Sequence, residues 1–259
     1  MFNLFTCCQR SRSKTFKKKV DTENFVYTSG AIIRGDTNLK KIAIVFTGDE
    51  FGEGGKFIRD VFKKHNLKAS FFLTGRFYRN KKNKNIISNL KKDGHYLGAH
   101  SNDHLLYASW QNRDSLLVTK QEFTDDLVAN YKEMEKHGIN KEAAFFFLPP
   151  YEWYNDSISK WTREAGHRLI NYSPGTLSHA DYTTPSDKNY KSSQTIYNSI
   201  VEYENKTTNG LNGFILLLHI GTSKVRTEKF YTMLPQLLEW LLLKNYQPVR
   251  VDELLNHKN

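Results

Sequence analysis

"LGAHSNDHLL" (97–106) sets His100 and His104 four positions apart at the end of a short apolar run. Residues at that spacing lie on one side of a helical turn and can offer both rings to one ion. The zinc-protease pattern H-E-x-x-H needs Glu directly after the first histidine, as general base. Position 101 is Ser101, which excludes that reading. An isolated H-x-x-x-H also arises as two surface histidines on a loop, so the surrounding chain must decide.

Outward from this stretch, short apolar runs alternate with amphipathic segments. The runs are "KIAIVFT" (41–47), "KASFFLT" (68–74), "YLGAHS" (96–101), "AAFFFLPP" (143–150), "RLINYSPG" (168–175), "GFILLLHIG" (213–221) and "QPVRVDEL" (247–254). Turn formers bound them and several are rich in β-branched or aromatic residues, the pattern of buried parallel strands. Helical periodicity fills the gaps, at 55–66 (with Phe57, Val61 and Phe62 as its apolar stripe) and near 83–93, 119–137, 155–165, 192–204 and 227–244. Strands alternating with helices imply an α/β fold, a parallel sheet with right-handed crossovers, either open or closed like a barrel.

In such folds chemistry collects at the carboxyl ends of strands. There the chain carries "FTGDEFGEG" (46–54), "AHSNDH" (99–104), "LPPYEWY" (148–154), "SPGTLSHADY" (173–182) and "LHIG" (218–221). Acids, histidines and a Pro-Pro turn thus gather on one face from distant positions, which favours the metal reading of His100 and His104.

With 259 residues, 39% hydrophobic and 14% aromatic, the chain can bury one large core. No apolar stretch approaches the ~18 residues needed to cross a bilayer, so no transmembrane segment is expected. The net charge of +11 suggests nucleic acid, but its distribution argues against that partner. Residues 1–20 hold Arg10, Arg12, Lys14, Lys17, Lys18 and Lys19 without an acid, while the rest carries 32 basic and 27 acidic side chains. The organisation expected is a basic arm over 1–38 and a catalytic domain over 39–259. Cys7 and Cys8 both fall in the arm, so the body needs no disulfide. If the true start lies upstream, one of them suits the acylated residue of a lipoprotein signal, giving a cell-envelope or secreted protein; otherwise the protein is cytoplasmic.

These segments, in this order, resemble the polysaccharide deacetylases of the NodB-homology type (carbohydrate esterase family 4) over about residues 40–255. The resemblance implies a distorted (β/α) barrel, here of about seven parallel strands, and a divalent metal, zinc in most members, held by one Asp and two His. It also implies removal of acetyl groups from glycans by metal-bound water. The H-[ST]-x-x-H motif matches His100 to His104 in full. The T-F-D-D-G motif aligns with Phe46-Thr47-Gly48-Asp49-Glu50, making Asp49 the third metal ligand. The R-x-P-[YF] type motif aligns with Leu148-Pro149-Pro150-Tyr151. L-x-H matches Leu217-Leu218-His219, making His219 the general acid, and Asp181 matches the acid that orients it.

Two departures stand together: Gly48 replaces the family's base, and Leu148 replaces the arginine that pairs with it. Removing one member of a partly buried ion pair strands a charge at a cost of several kcal/mol, whereas removing both does not. Glu50 and Glu152 are then the nearby candidates for a substitute base. The backbone N–H of Tyr151, after two stiffening prolines, is placed to help an oxyanion. Tyr151, Trp153, Tyr154 and Trp110 supply aromatic faces of the kind that pack on sugar rings. The expected activity is therefore metal-dependent deacetylation of an acetylated carbohydrate. The alternatives are a sugar-binding module that has lost turnover and a small-amide hydrolase.

Overall fold

The computed structural model describes residues 24–256. In chain order the strands are β1 (Val26–Thr28), β2 (Ala31–Arg34), β3 (Lys41–Gly48), β4 (Ser70–Leu73), β5 (Tyr96–Ala99), β6 (Phe146–Phe147), β7 (Arg168–Leu169), β8 (Phe214–His219) and β9 (Gln247–Val249). The helices are α1 (Gly55–Lys64), α2 (Gly75–Arg79), α3 (Lys84–Lys92), α4 (Lys120–Glu135), α5 (Asp156–Glu164), α6 (Ser193–Lys206), α7 (Leu234–Leu243) and α8 (Val251–Leu254).

The seven apolar runs become β3 to β9, and every pairing among them is parallel. The sheet runs β1-β2-β8-β3-β4-β5-β6-β7, with β9 beside the start of β3. The sheet closes through a bridge between Ile32 of β2 and Ile170, just past β7, and the Asn171 N–H donates to the Ile32 carbonyl at 2.9 Å. A curled, distorted barrel results. The antiparallel pairs are β1–β2 and β2–β8, in a segment the composition assigned to the arm. That boundary is corrected: residues 26–34 belong to the sheet, tied in by Arg34, whose guanidinium donates to the carbonyls of Asn212 and Gly210. The six cations of residues 1–20, Cys7 and Cys8 lie outside the described residues.

Strand β3 is buried on both faces. Ile42, Ile44 and Phe46 point into the layer under the helices, where Phe46 stacks on Phe71 at 5.1 Å. Ala43 and Val45 point into the barrel, with Phe72, Leu148, Ile170, Ile215 and Leu217. Each fully buried side chain of this size contributes roughly 1.5–3 kcal/mol. Val251 and Leu254 of α8 pack into the same interior cluster, and the Val251 N–H donates to Ser70 Oγ at the start of β4. Apolar packing thus fills that end and leaves polar chemistry to the other. Among the described residues no helix is long and apolar enough to cross a membrane.

Candidate active site

At the carboxyl ends of the strands lies a cavity of about 480 Å³, within the range that holds small ligands. Asp49, Glu50, His100, His104, Trp110, Tyr151, Glu152 and His219 all line it, so eight of the side chains singled out in the sequence converge.

The histidine loop is held from α4. The His100 N–H donates to Asn130 Oδ1 at 2.9 Å, and the N–H groups of Asn102 and Asp103 donate to the Asp126 carboxylate, as does the Tyr107 hydroxyl. A buried carboxylate is costly unless donors satisfy it, and here three do. Sequence reasoning missed both supports. Their signal was two polar residues four apart on a stripe shared with Phe123, Leu127, Tyr131 and Met134. The loop also holds Ser101 at φ 73° and His104 at φ 56°, and the turn after Pro150 holds Tyr151 at 57° and Glu152 at 53°. Four non-glycine residues in the left-handed region around one cavity mark stored strain of the kind found at functional sites.

His100 Nδ1 lies 2.7 Å from the Leu148 carbonyl, which can only accept, so Nδ1 carries the proton and Nε2 keeps its lone pair. Burial, then the neighbouring His104, lowers the His100 pKa to about 3. Burial, then the Arg76 charge, lowers that of His104 to about 4. Both rings, 5.1 Å apart between centroids, are therefore neutral imidazoles at neutral pH, the form that ligates metal. Asp49 is different. Arg76 grips it with two bonds, Nη2 to Oδ2 at 2.6 Å and Nε to Oδ1 at 3.0 Å, and the Thr74 hydroxyl donates to Oδ1 at 2.8 Å. Among the described residues no three His, Cys, Asp or Glu side chains stand where they could hold one ion. The histidine pair suits a metal; the expected third ligand is turned to a guanidinium, so the trio as it stands does not fit one.

His219 is held by Asp181 at two points, a pairing that the family resemblance implied. Burial works against its charged form, but the charge and hydrogen bond of Asp181, aided by the Glu152 charge, raise its pKa above the ordinary imidazole value. Glu152 is shifted the other way from a normal carboxylate: burial, against the opposing charge of His219, raises its pKa to about 7. Glu50 sits exposed on the cavity rim.

The expected pairing of positions 48 and 148 does not occur. A Cβ on Gly48 would stand 2.6 Å from Ile220 Cγ2 and 2.8 Å from Leu73 Cδ2, both in the layer under the helices. Position 48 therefore faces away from Leu148, which lies in the barrel interior. The strand's inward residue at this level is Thr47, opposite His219 on β8 and lining the cavity, with its hydroxyl buried and, among the described residues, without a hydrogen-bond partner. Neither position 47 nor position 48 supplies a carboxylate.

The aromatic expectations divide. Trp110 and Tyr151 are half exposed on the cavity wall, 5.7 Å apart, and Tyr151 packs on His104 at 4.4 Å. Trp153 stands behind them, 5.1 Å from Trp110, with the Arg113 guanidinium 3.6 Å over its ring. Tyr154 does not reach the site; it is buried, and its hydroxyl donates to the Thr28 carbonyl of β1. Tyr182, which sequence reasoning passed over, is half exposed on the wall beside His219 at 5.1 Å.

A sequence profile described as polysaccharide deacetylase matches residues 35–170, just over half of the chain. The chain belongs to the polysaccharide deacetylase family. It is similar to a peptidoglycan-N-acetylglucosamine deacetylase of Bacillus cereus, 28% identical over 222 residues, covering 86% of this chain and 91% of that protein. It also resembles the peptidoglycan-N-acetylmuramic acid deacetylase PdaA of Bacillus subtilis, 28% identical over 144 residues, 55% of this chain and 50% of that one. Among solved structures, the Bc1960 peptidoglycan N-acetylglucosamine deacetylase superposes with a TM-score of 0.70 at 21% identity, covering 87% of this chain and 92% of that one. A CE4 family pseudoenzyme from Bacillus anthracis superposes at 0.66 with 19% identity, covering 88% and 69%. At these identities the superpositions establish the shared polysaccharide deacetylase fold.

Proposed function

We propose that this polysaccharide deacetylase-family protein hydrolyses acetyl groups from an acetylated glycan, with Glu152 as general base and His219 as general acid. The observation that carries the reading is their shared cavity, where burial brings Glu152 to about 7 and Asp181 raises the pKa of His219 above the ordinary imidazole value. A base near the working pH and an acid that holds its proton are the pair that hydrolysis needs. Glu152 takes a proton from water as the water oxygen attacks the acetyl carbon. His219 then gives its Nε2 proton to the departing amine or alkoxide, and acetate and the free sugar group leave. The backbone N–H of Tyr151 is our candidate donor to the carbonyl oxygen. Trp110, Tyr151 and Tyr182 offer faces for the sugar ring. The names of the two Bacillus relatives support a peptidoglycan-type amino sugar as substrate.

The family resemblance supports a divalent ion, zinc foremost. Its ligands would be His100 and His104, with Asp49 once that carboxylate is released from Arg76.

Leu148, together with the missing carboxylates at 47 and 48, favours one second reading, a sugar-binding module without turnover. Acetate release from peptidoglycan fragments and N-acetylglucosamine oligomers separates the two. Release at a rate proportional to enzyme supports hydrolysis; oligomer binding without acetate supports the module.

A further inference from the structure

Asp49 is one of the carboxylates lining this cavity, and the chain itself supplies it with a cation. Arg76 binds both oxygens, at 2.6 and 3.0 Å, the forked geometry that makes arginine the strongest side-chain partner of a carboxylate. Its backbone is tied to the histidine loop: the Gly75 N–H donates to the Ser101 carbonyl at 3.0 Å, and the Arg76 N–H donates to the Asn102 carbonyl at 3.1 Å. The guanidinium thus starts from the first turn of α2, which is hydrogen-bonded to the loop that carries His100 and His104. Its side chain is 50% exposed, so it can swing into solvent without breaking the core.

We propose that Arg76 competes with a divalent ion for Asp49, so that position 76 sets the metal affinity of this site. A metal ion and a guanidinium cannot both take the inner oxygens of one carboxylate, and their charges repel. Wild-type protein therefore binds metal only as far as Arg76 lets go, and the apparent dissociation constant carries the cost of that exchange. This rests on the reading of His100 and His104 as metal ligands.

Calorimetric titration of chelator-stripped protein with zinc, and with cobalt followed by its visible absorption, tests the proposal. Arg76→Gln should bind at least about tenfold more tightly than wild type, and Arg76→Lys, which keeps the charge but not the fork, should fall between them. Asp49→Asn in the Arg76→Gln background should erase the gain. Equal affinity in wild type, Arg76→Lys and Arg76→Gln, with binding abolished by His100→Ala, overturns the role of Arg76 and leaves the histidine reading standing. No binding by any folded variant overturns both. Unaltered melting of Arg76→Gln checks that the comparison is between folded proteins.

Discussion

Asp181 grips His219 at two points: the His219 backbone N–H donates to Oδ2 at 2.9 Å, and Nδ1 lies 2.6 Å from Oδ1. With the carboxylate ionised the proton lies on Nδ1, so Nε2 is the nitrogen that exchanges protons with the cavity. The same contact raises the histidine's pKa against the effect of burial.

Asp181→Asn should therefore lower the His219 pKa, read from the ring proton shifts by NMR. The raised value is also a stability term: it is fully present below about pH 6.5, the unfolded value, and is lost as pH rises through the folded one. The variant should lose stability at low pH and little at high pH. An unchanged titration would remove Asp181 from the account.

Glu152 carries the opposite linkage. Its pKa of about 7, against 4.5 for an ordinary glutamate, means the unfolded chain ionises first as pH rises. Its contribution to stability falls between those values, by roughly 3 kcal/mol in all. Glu152→Gln removes that cost, so the variant's melting temperature should gain on wild type between pH 5 and pH 8. A constant difference across that range would show that Glu152 is not held protonated by burial.

Gly48 tests the strand's phase. A β-carbon alone collides with Ile220 and Leu73, so Gly48→Ala should already cost about 1–3 kcal/mol. Gly48→Asp should cost more, because the carboxylate is driven into apolar packing. Adding Leu148→Arg should not rescue it, and denaturant unfolding of the double variant should be additive within about 0.5 kcal/mol. Recovery beyond about 1 kcal/mol would place the two side chains in contact.

The same position shows why part of the molecule was legible in sequence and part was not. The seven parallel strands could be read because each is a short apolar run between turn formers, and the convergence of their polar ends followed from topology. Which way Gly48 points could not be read. Ile42, Ile44 and Phe46 on one face of β3 are as apolar as Ala43 and Val45 on the other, so no alternation fixes the phase. Strands β1 and β2 form a local hairpin through the Ser29-Gly30 turn and were missed because the segment was counted with the basic arm; what ties the hairpin to the body, β8 and Tyr154, lies more than a hundred residues away. Arg76 was missed for a related reason: its carboxylate is 27 residues distant, and the five-residue α2 that aims it has no periodicity to detect. The His219–Asp181 pair was reached only through family resemblance, since 38 residues separate them.

In the proposed mechanism Glu152 does the work of a base in a chain with no carboxylate at position 47 or 48. The most direct measurement is kcat/KM for acetate release from an N-acetylglucosamine oligomer by wild type, Glu152→Gln and Glu50→Gln across pH 5 to 9. The account predicts a rise centred near pH 7 in wild type, a loss of about 10²–10⁴-fold in Glu152→Gln, and Glu50→Gln within a few-fold of wild type. Full activity in Glu152→Gln, or the large loss falling on Glu50→Gln instead, would contradict it.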